Sequence, residues 1–158
     1  METQSQSRRK FMVFRVGNDR YCTPLSDVRE VIGVPTITPV PQVASYMKGL
    51  INLRGQIISV IDLAEKFGMD PTESKPQETC VMISTIGKYT IGTLVGEVLE
   101  VLSIEEDSIE PTENHEKTDI ITGVIRVNDD AGILLLLDLG KVFTKEELEL
   151  LHQSKQVA

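Results

Sequence analysis

Val28-Arg29-Glu30-Val31-Ile32 and Val98-Leu99-Glu100-Val101-Leu102 carry one pattern twice, once in each half of the chain. An Ile-x-Pro follows each block, Ile37-Thr38-Pro39 and Ile109-Glu110-Pro111. Further on, Lys48-Gly49-Leu50-Ile51 lines up with Thr122-Gly123-Val124-Ile125. Asp62-Leu63-Ala64-Glu65-Lys66-Phe67 then lines up with Asp138-Leu139-Gly140-Lys141-Val142-Phe143. Four landmarks in the same order describe an internal duplication. The repeated blocks are rich in Val and Ile, whose branched side chains pack well on a pleated surface and lose freedom in a helix. The expected fold is therefore mainly β: two barrel-like units of about five short strands packed on one another. A unit that small buries little surface alone, so each half must complete the core of the other.

Working outward, residues 11–16 read as a strand stopped by Gly17-Asn18-Asp19, and a second strand runs from Arg20 to about Leu25 and resumes through Val28 and Ile32. Pro35, Pro39 and Pro41 forbid regular structure, because each lacks an N–H and restrains its predecessor. Residues 47–53, a turn at Arg54-Gly55-Gln56 and the run Ile57-Ile58-Ser59-Val60-Ile61 read as a hairpin. Asp62 caps a short helix that Gly68 ends. Strands resume at 79–86, turn at Gly87-Lys88 as a type II′ hairpin, and continue through 89–102. An acidic loop, 105–117, precedes the last strands at 120–127 and 132–137, joined by Asn128-Asp129-Asp130. Thr144 and Glu147 form a capping box that opens a final helix with Leu148 and Leu151 on one face. The expected organisation is a disordered tail over 1–10, one domain over 11–143 and a C-terminal helix and tail over 144–158. Within the domain, subdomain 1 spans about 11–68, a polar, proline-bracketed linker about 69–77, and subdomain 2 about 78–143.

The chain has 158 residues, 41% of them hydrophobic, enough for a real core, and its formal charge is −8. Nucleic-acid binding relies on clustered Lys and Arg that release counterions from phosphates. Here the only basic cluster is Arg8-Arg9-Lys10, read as a solvated tail or edge-strand guard. The first ten residues lack the apolar core of a signal peptide, and the longest aliphatic run, residues 133–137, is too short to span a bilayer, which implies a cytoplasmic protein. Cys22 and Cys80 stand in apolar stretches without metal-ligand spacing and read as buried small hydrophobes.

A catalytic site needs a nucleophile, a base and a group that orients it. His115 lies in a polar loop without metal spacing, and His152 sits in the last helical turn, where it suits the helix dipole. Gly92-Thr93-Leu94-Val95-Gly96 lacks the Lys-Ser/Thr end of a phosphate loop, and Glu105-Glu106-Asp107 lacks the alternation of a calcium loop. The expectation is a chain that is not an enzyme and that takes no cofactor or metal. By charge alone, Arg54 at its hairpin tip would be an ordinary solvated residue.

Beyond that reading, the chain resembles the CheW family of chemotaxis coupling proteins from about Phe11 to Phe143. The resemblance rests on Tyr21-x-x-Pro24-Leu25, the Val28-x-Glu30-Val31-Ile32 block, Ile37-Thr38-Pro39-Val40-Pro41, Lys48-Gly49-Leu50-Ile51-Asn52-Leu53-Arg54-Gly55 and Ser59-Val60-Ile61-Asp62-Leu63. In the second half it rests on Gly92-x-x-Val95-x-x-Val98-x-Glu100-Val101, Ile109-x-Pro111 and Gly123. It implies two SH3-like five-stranded barrels facing each other across a shared apolar core. It also implies a non-catalytic scaffold that couples methyl-accepting chemoreceptors to the regulatory domain of a CheA-type histidine kinase, recruited to membrane-associated receptor arrays. One barrel end would dock on the kinase, and the groove between the halves would receive the helical hairpin tip of a receptor. By motif match Arg54 and its frame, Gly49, Asn52, Leu53 and Gly55, belong to the receptor- and kinase-facing region, which Val28, Glu30 and Val98 line. Two departures stand out: Thr23 replaces an apolar residue, and Gly96 follows Val95 where the family usually has an acid, so that a loosened strand or bulge is expected there.

The alternatives are an adaptor of a parallel chemosensory-like pathway serving non-flagellar motility or gene regulation, and a small-barrel module for nucleic acid or a ligand. A fusion with a phosphoacceptor domain is not expected, since the chain ends soon after the final helix.

Overall fold

In the computed structural model, residues 8–112, 120–127 and 132–157 are described. Eleven strands among them form two sheets. In chain order they are β1 (Arg8–Val16), β2 (Asp19–Pro24), β3 (Val28–Gly33), β4 (Met47–Leu53) and β5 (Gln56–Asp62). Helix α1 (Leu63–Lys66) closes the first half. The second half holds β6 (Cys80–Ile86), β7 (Tyr89–Val95), β8 (Glu97–Glu105), β9 (Ile109–Pro111), β10 (Ile121–Arg126) and β11 (Ile133–Leu137). It ends in α2 (Leu139–Val142) and α3 (Lys145–Val157). The mainly β expectation holds. His115 and the turn Asn128-Asp129-Asp130 lie outside the described residues.

The duplication is built in an unexpected way. One sheet runs β8-β1-β2-β11-β10-β9 and the other β3-β6-β7-β5-β4. Each therefore combines the opening hairpin of one half with the later strands of the other, so the expected boundary at 69–77 does not separate the two sheets. The two exchanges match: β1 lies antiparallel to β8 as β6 does to β3, and β2 lies parallel to β11 as β7 does to β5. The chain crosses between sheets twice. A single 3-10 turn at Leu25–Asp27 makes the first crossing, and Gly96, whose N–H bonds to the Arg15 carbonyl at 2.9 Å, makes the second. The long strand expected over 89–102 is thus two strands in different sheets.

Because each sheet curls, both faces of its strands are covered, which explains the nearly continuous apolar runs. Along β5, Ile58 and Val60 face a core inside their own sheet, while Ile57 and Ile61 face a central core shared by both sheets. In β1, Phe11 and Val13 face inward and Met12, Phe14 and Val16 face the centre. The edge strands β3 and β4 contribute Ile32, Ile51 and Leu53 to one inner core, so the five-stranded sheet bends until both edges pack on that core.

The repeated sequence blocks are repeated backbone devices. Val-x-Glu is a β-bulge in both halves, with register shifts between Val28 and Glu30 and opposite Val98 and Glu100. The bulge turns Val28 toward the shared core while Glu30 stands opposite inward-facing Ile83. Gly49 and Gly123 each sit at a second bulge, crossed by the Ile-x-Pro segment: Thr38 exchanges two 2.8 Å bonds with Leu50, and β9 pairs with β10. A Cβ on Gly49 would lie 2.2 Å from the Thr38 carbonyl oxygen, at a φ of 145°. Asp62 and Asp138 are twin caps, accepting from the amides of Ala64 at 3.0 Å and Gly140 at 2.9 Å.

One expectation at the edges needs correction. Strand β1 starts at Arg8, not after Lys10, because Arg8 reaches Ser103 and Glu105 on β8 and Arg9 lies 3.8 Å from Glu106. The linker is pinned as well: buried Asp62 accepts from the Thr72 amide at 2.7 Å and its hydroxyl at 2.6 Å. The final helix forms as expected. Thr144 and Glu147 exchange bonds of 2.8 and 3.0 Å, and Leu148 and Leu151 are buried in the shared core.

Candidate functional site

Arg54 and Gly55 are the two-residue loop of the β4–β5 hairpin, with φ of 50° and 90°. Two successive positive φ values make a type I′ turn, whose twist matches the flanking strands. Asn52 closes it by accepting the Gly55 amide at 2.8 Å. Arginine is a poor choice for a left-handed position, where a side chain with a Cβ costs roughly 1 kcal/mol. The turn thus holds an exposed charge in backbone that most side chains avoid.

The guanidinium is not loose. Its Nη2 donates to both carboxylate oxygens of Glu30, at 2.9 Å to Oε2 with a shorter contact to Oε1. This pair joins the hairpin to β3 at the opposite edge of the sheet and so bridges the seam of the curl. Its partners remain accessible, the Arg54 side chain being 68% exposed and that of Glu30 29%. The charge is thereby displayed and oriented rather than buried.

The structure brings some of the sequence-derived site residues together and separates others. Arg54, Gly55, Asn52 and Glu30 meet at the hairpin tip. Leu53 backs them, half-buried against the inner core of that sheet. Gly49 is buried under Thr38 and frames the hairpin rather than facing outward. Val28 and Val98 are half-buried on strands of different sheets and both lean on the shared central core, so they belong to the seam between the sheets. Gly96 lies at the crossing from β7 to β8, against the Arg15 carbonyl, where a Cβ would approach that oxygen at 3.2 Å, a tight contact.

Both cysteines are free and buried, and burial pushes the Cys22 thiol up to about 12, far from a reactive thiolate. His152 is exposed and packs edge-on against Tyr89 at 5.7 Å. Among the described residues, no group of three or more His, Cys, Asp or Glu could hold a metal ion, and no helix is long and apolar enough to cross a membrane.

Sequence reasoning missed a second polar cluster. The Glu147 carboxylate receives the Lys66 ammonium at 2.6 Å and the Tyr46 hydroxyl at 2.8 Å, besides the Thr144 amide. Burial opposes its charge, yet these donors and the Lys66 cation hold the carboxyl below its usual range. Burial, the bond to Glu147 and that residue's charge push the Tyr46 hydroxyl up to about 12. The capping box was the only trace of this cluster in the sequence.

A CheW-like domain model matches residues 10–147. The chain is 28% identical over 152 residues to a probable chemotaxis protein CheW of Rhizobium etli, covering 94% of this chain and 96% of that one. It is 30% identical over 144 residues to the chemotaxis protein CheW of Klebsiella aerogenes, covering 89% and 85%. The crystal structure of the scaffolding protein TtCheW from Thermoanaerobacter tengcongensis superposes with a TM-score of 0.79 at 30% identity, covering 90% of this chain and 97% of that one. With the duplicated sheets, the turn and these likenesses in agreement, the chain belongs to the CheW family of chemotaxis coupling scaffolds.

Proposed function

We propose that this protein is a non-catalytic cytoplasmic adaptor linking methyl-accepting chemoreceptors to a CheA-type histidine kinase, recruited to membrane-associated receptor arrays. Each curled sheet is taken as an SH3-like barrel, the kind of surface on which a barrel of the kinase regulatory domain would dock. The observation that carries the reading is Arg54, displayed on a type I′ turn and oriented by Glu30 across the seam of its sheet. Its remaining N–H groups suit a carboxylate or a backbone carbonyl of a partner. The seam where Val28 and Val98 lean on the central core supplies the apolar wall for a receptor hairpin.

The test is calorimetric titration of wild type and Arg54→Ala against the kinase regulatory domain and a receptor tip fragment. Arg54→Ala folds normally, because an exposed ion pair contributes only about 0–1 kcal/mol to stability. It loses more than about 1 kcal/mol of affinity for at least one partner. Unchanged affinity for both would remove Arg54 from the contact.

A further inference from the structure

Helix α3 is held differently from the rest of the fold. Of its residues 145–152, only Leu148 and Leu151 are buried, while the sheets, the helices α1 and α2 and Phe143 supply the other buried members of the central core. A short isolated helix is marginal in water, so α3 depends on this seat. The seat is specific: the Ser59 hydroxyl, fully buried on β5, donates to the Leu151 carbonyl at 2.8 Å. Lys66 on α1 and Tyr46 before β4 both donate to Glu147, and the Lys66 ammonium lies 4.7 Å from the Tyr46 ring centroid. The seat is also wider than its occupant. An open groove of about 470 Å³ runs beside α3, walled by Val40, Val43, Tyr46 and Met47 on one side and Leu151 on the other.

We propose that α3 is a displaceable strap, seated in cis on a helix-binding groove that a partner's amphipathic helix enters when the strap lifts. The occupant is defined by the chemistry of the seat. Lys66 and Tyr46 present donors to one carboxylate, and the floor is apolar, so the entering helix carries a Glu followed by two Leu spaced three apart. The groove beside residues 147–151 of α3 leaves room for wider side chains. The helix is thus an autoinhibitory contact: it covers the surface until a better ligand competes for it.

Two measurements on the full chain test this. In hydrogen exchange, α3 amides open by a local route, faster than the amides of β1, β5 and β6, and Glu147→Gln speeds α3 exchange roughly tenfold while α3 still opens ahead of the sheets. In the second, a fluorescent peptide with the sequence of residues 144–157 is titrated against wild type and Leu151→Asp. Lifting the resident helix raises the fraction of open seats, so the variant binds the peptide roughly tenfold more tightly. Adding Lys66→Met to that variant abolishes the gain. If Leu151→Asp loses its sheet protection, Glu147→Gln replaces it in the titration. The proposal is overturned if α3 exchanges only with the sheets, or if the lifted strap leaves peptide binding unchanged. It is overturned equally if the variant dimerises and ignores the peptide, which would assign the seat to a second copy.

Discussion

Gly49 and Gly123 occupy equivalent places in the duplication, yet their surroundings differ in one atom type. A Cβ at Gly49 would meet the backbone oxygen of Thr38, at a φ that other residues rarely adopt. At Gly123 the nearest obstacle is the Cγ2 of Ile109 at 2.7 Å, a side-chain atom that yields only if Ile109 changes rotamer or β9 moves, and the backbone there is not left-handed. Gly49→Ala should therefore cost about 3 kcal/mol or more, and Gly123→Ala about 1–2 kcal/mol. Urea unfolding would read this as midpoint shifts at constant slope. Equal losses would mean that the Thr38–Leu50 bridge yields as easily as a methyl group. The glycines were legible in the sequence as part of a repeated motif, but their reason was not, because the segment that crosses them comes from a different part of the chain. Arg54 shows the same limit. The turn could be read from Asn-Leu-Arg-Gly, whereas its partner Glu30 could not, since the two become neighbours only when the sheet curls.

Among the elements, strand positions and caps followed from local pattern: Asp62 and the Thr144–Glu147 box cap as their spacing implied, and Asp138, which the repeat aligns with Asp62, caps in the same way. Strand partners did not, because pairing depends on where the chain changes sheet, and the crossings at 25–27 and at Gly96 are too short to announce themselves. Strand β9 was hidden for a related reason, Pro111 ending it after three residues. Helix α3 is the element whose stability should depend on pH. The native pKa of Glu147 lies below its unfolded value. Its ionised form therefore contributes stability that is fully present above the unfolded pKa of about 4.3 and is lost as the pH falls through the lower native value. Glu147→Gln should be less stable than wild type by about 1–2 kcal/mol near neutral pH. The gap should close as acid protonates the wild-type carboxyl. Urea titrations at a series of pH values would show it, and a gap independent of pH would place the contribution in packing rather than charge.

For the whole molecule, exchange of hairpins between the halves has a thermodynamic consequence. Neither the first nor the second half of the chain can complete a sheet alone, and the two inner cores are joined through the central one. Unfolding should be a single cooperative transition, with fluorescence, circular dichroism and calorimetric enthalpy in agreement. Two separate transitions would mean that the halves hold their own sheets. The same rigidity suits a scaffold, since contacts on different faces keep a fixed geometry while an interface of modest size forms and shifts. The coupling role rests on bridging. In a sedimentation assay with vesicles bearing a chemoreceptor cytoplasmic domain, the histidine kinase should pellet with the vesicles when this protein is added and remain in solution without it. A kinase that pellets equally in both cases, or in neither, would contradict the coupling role.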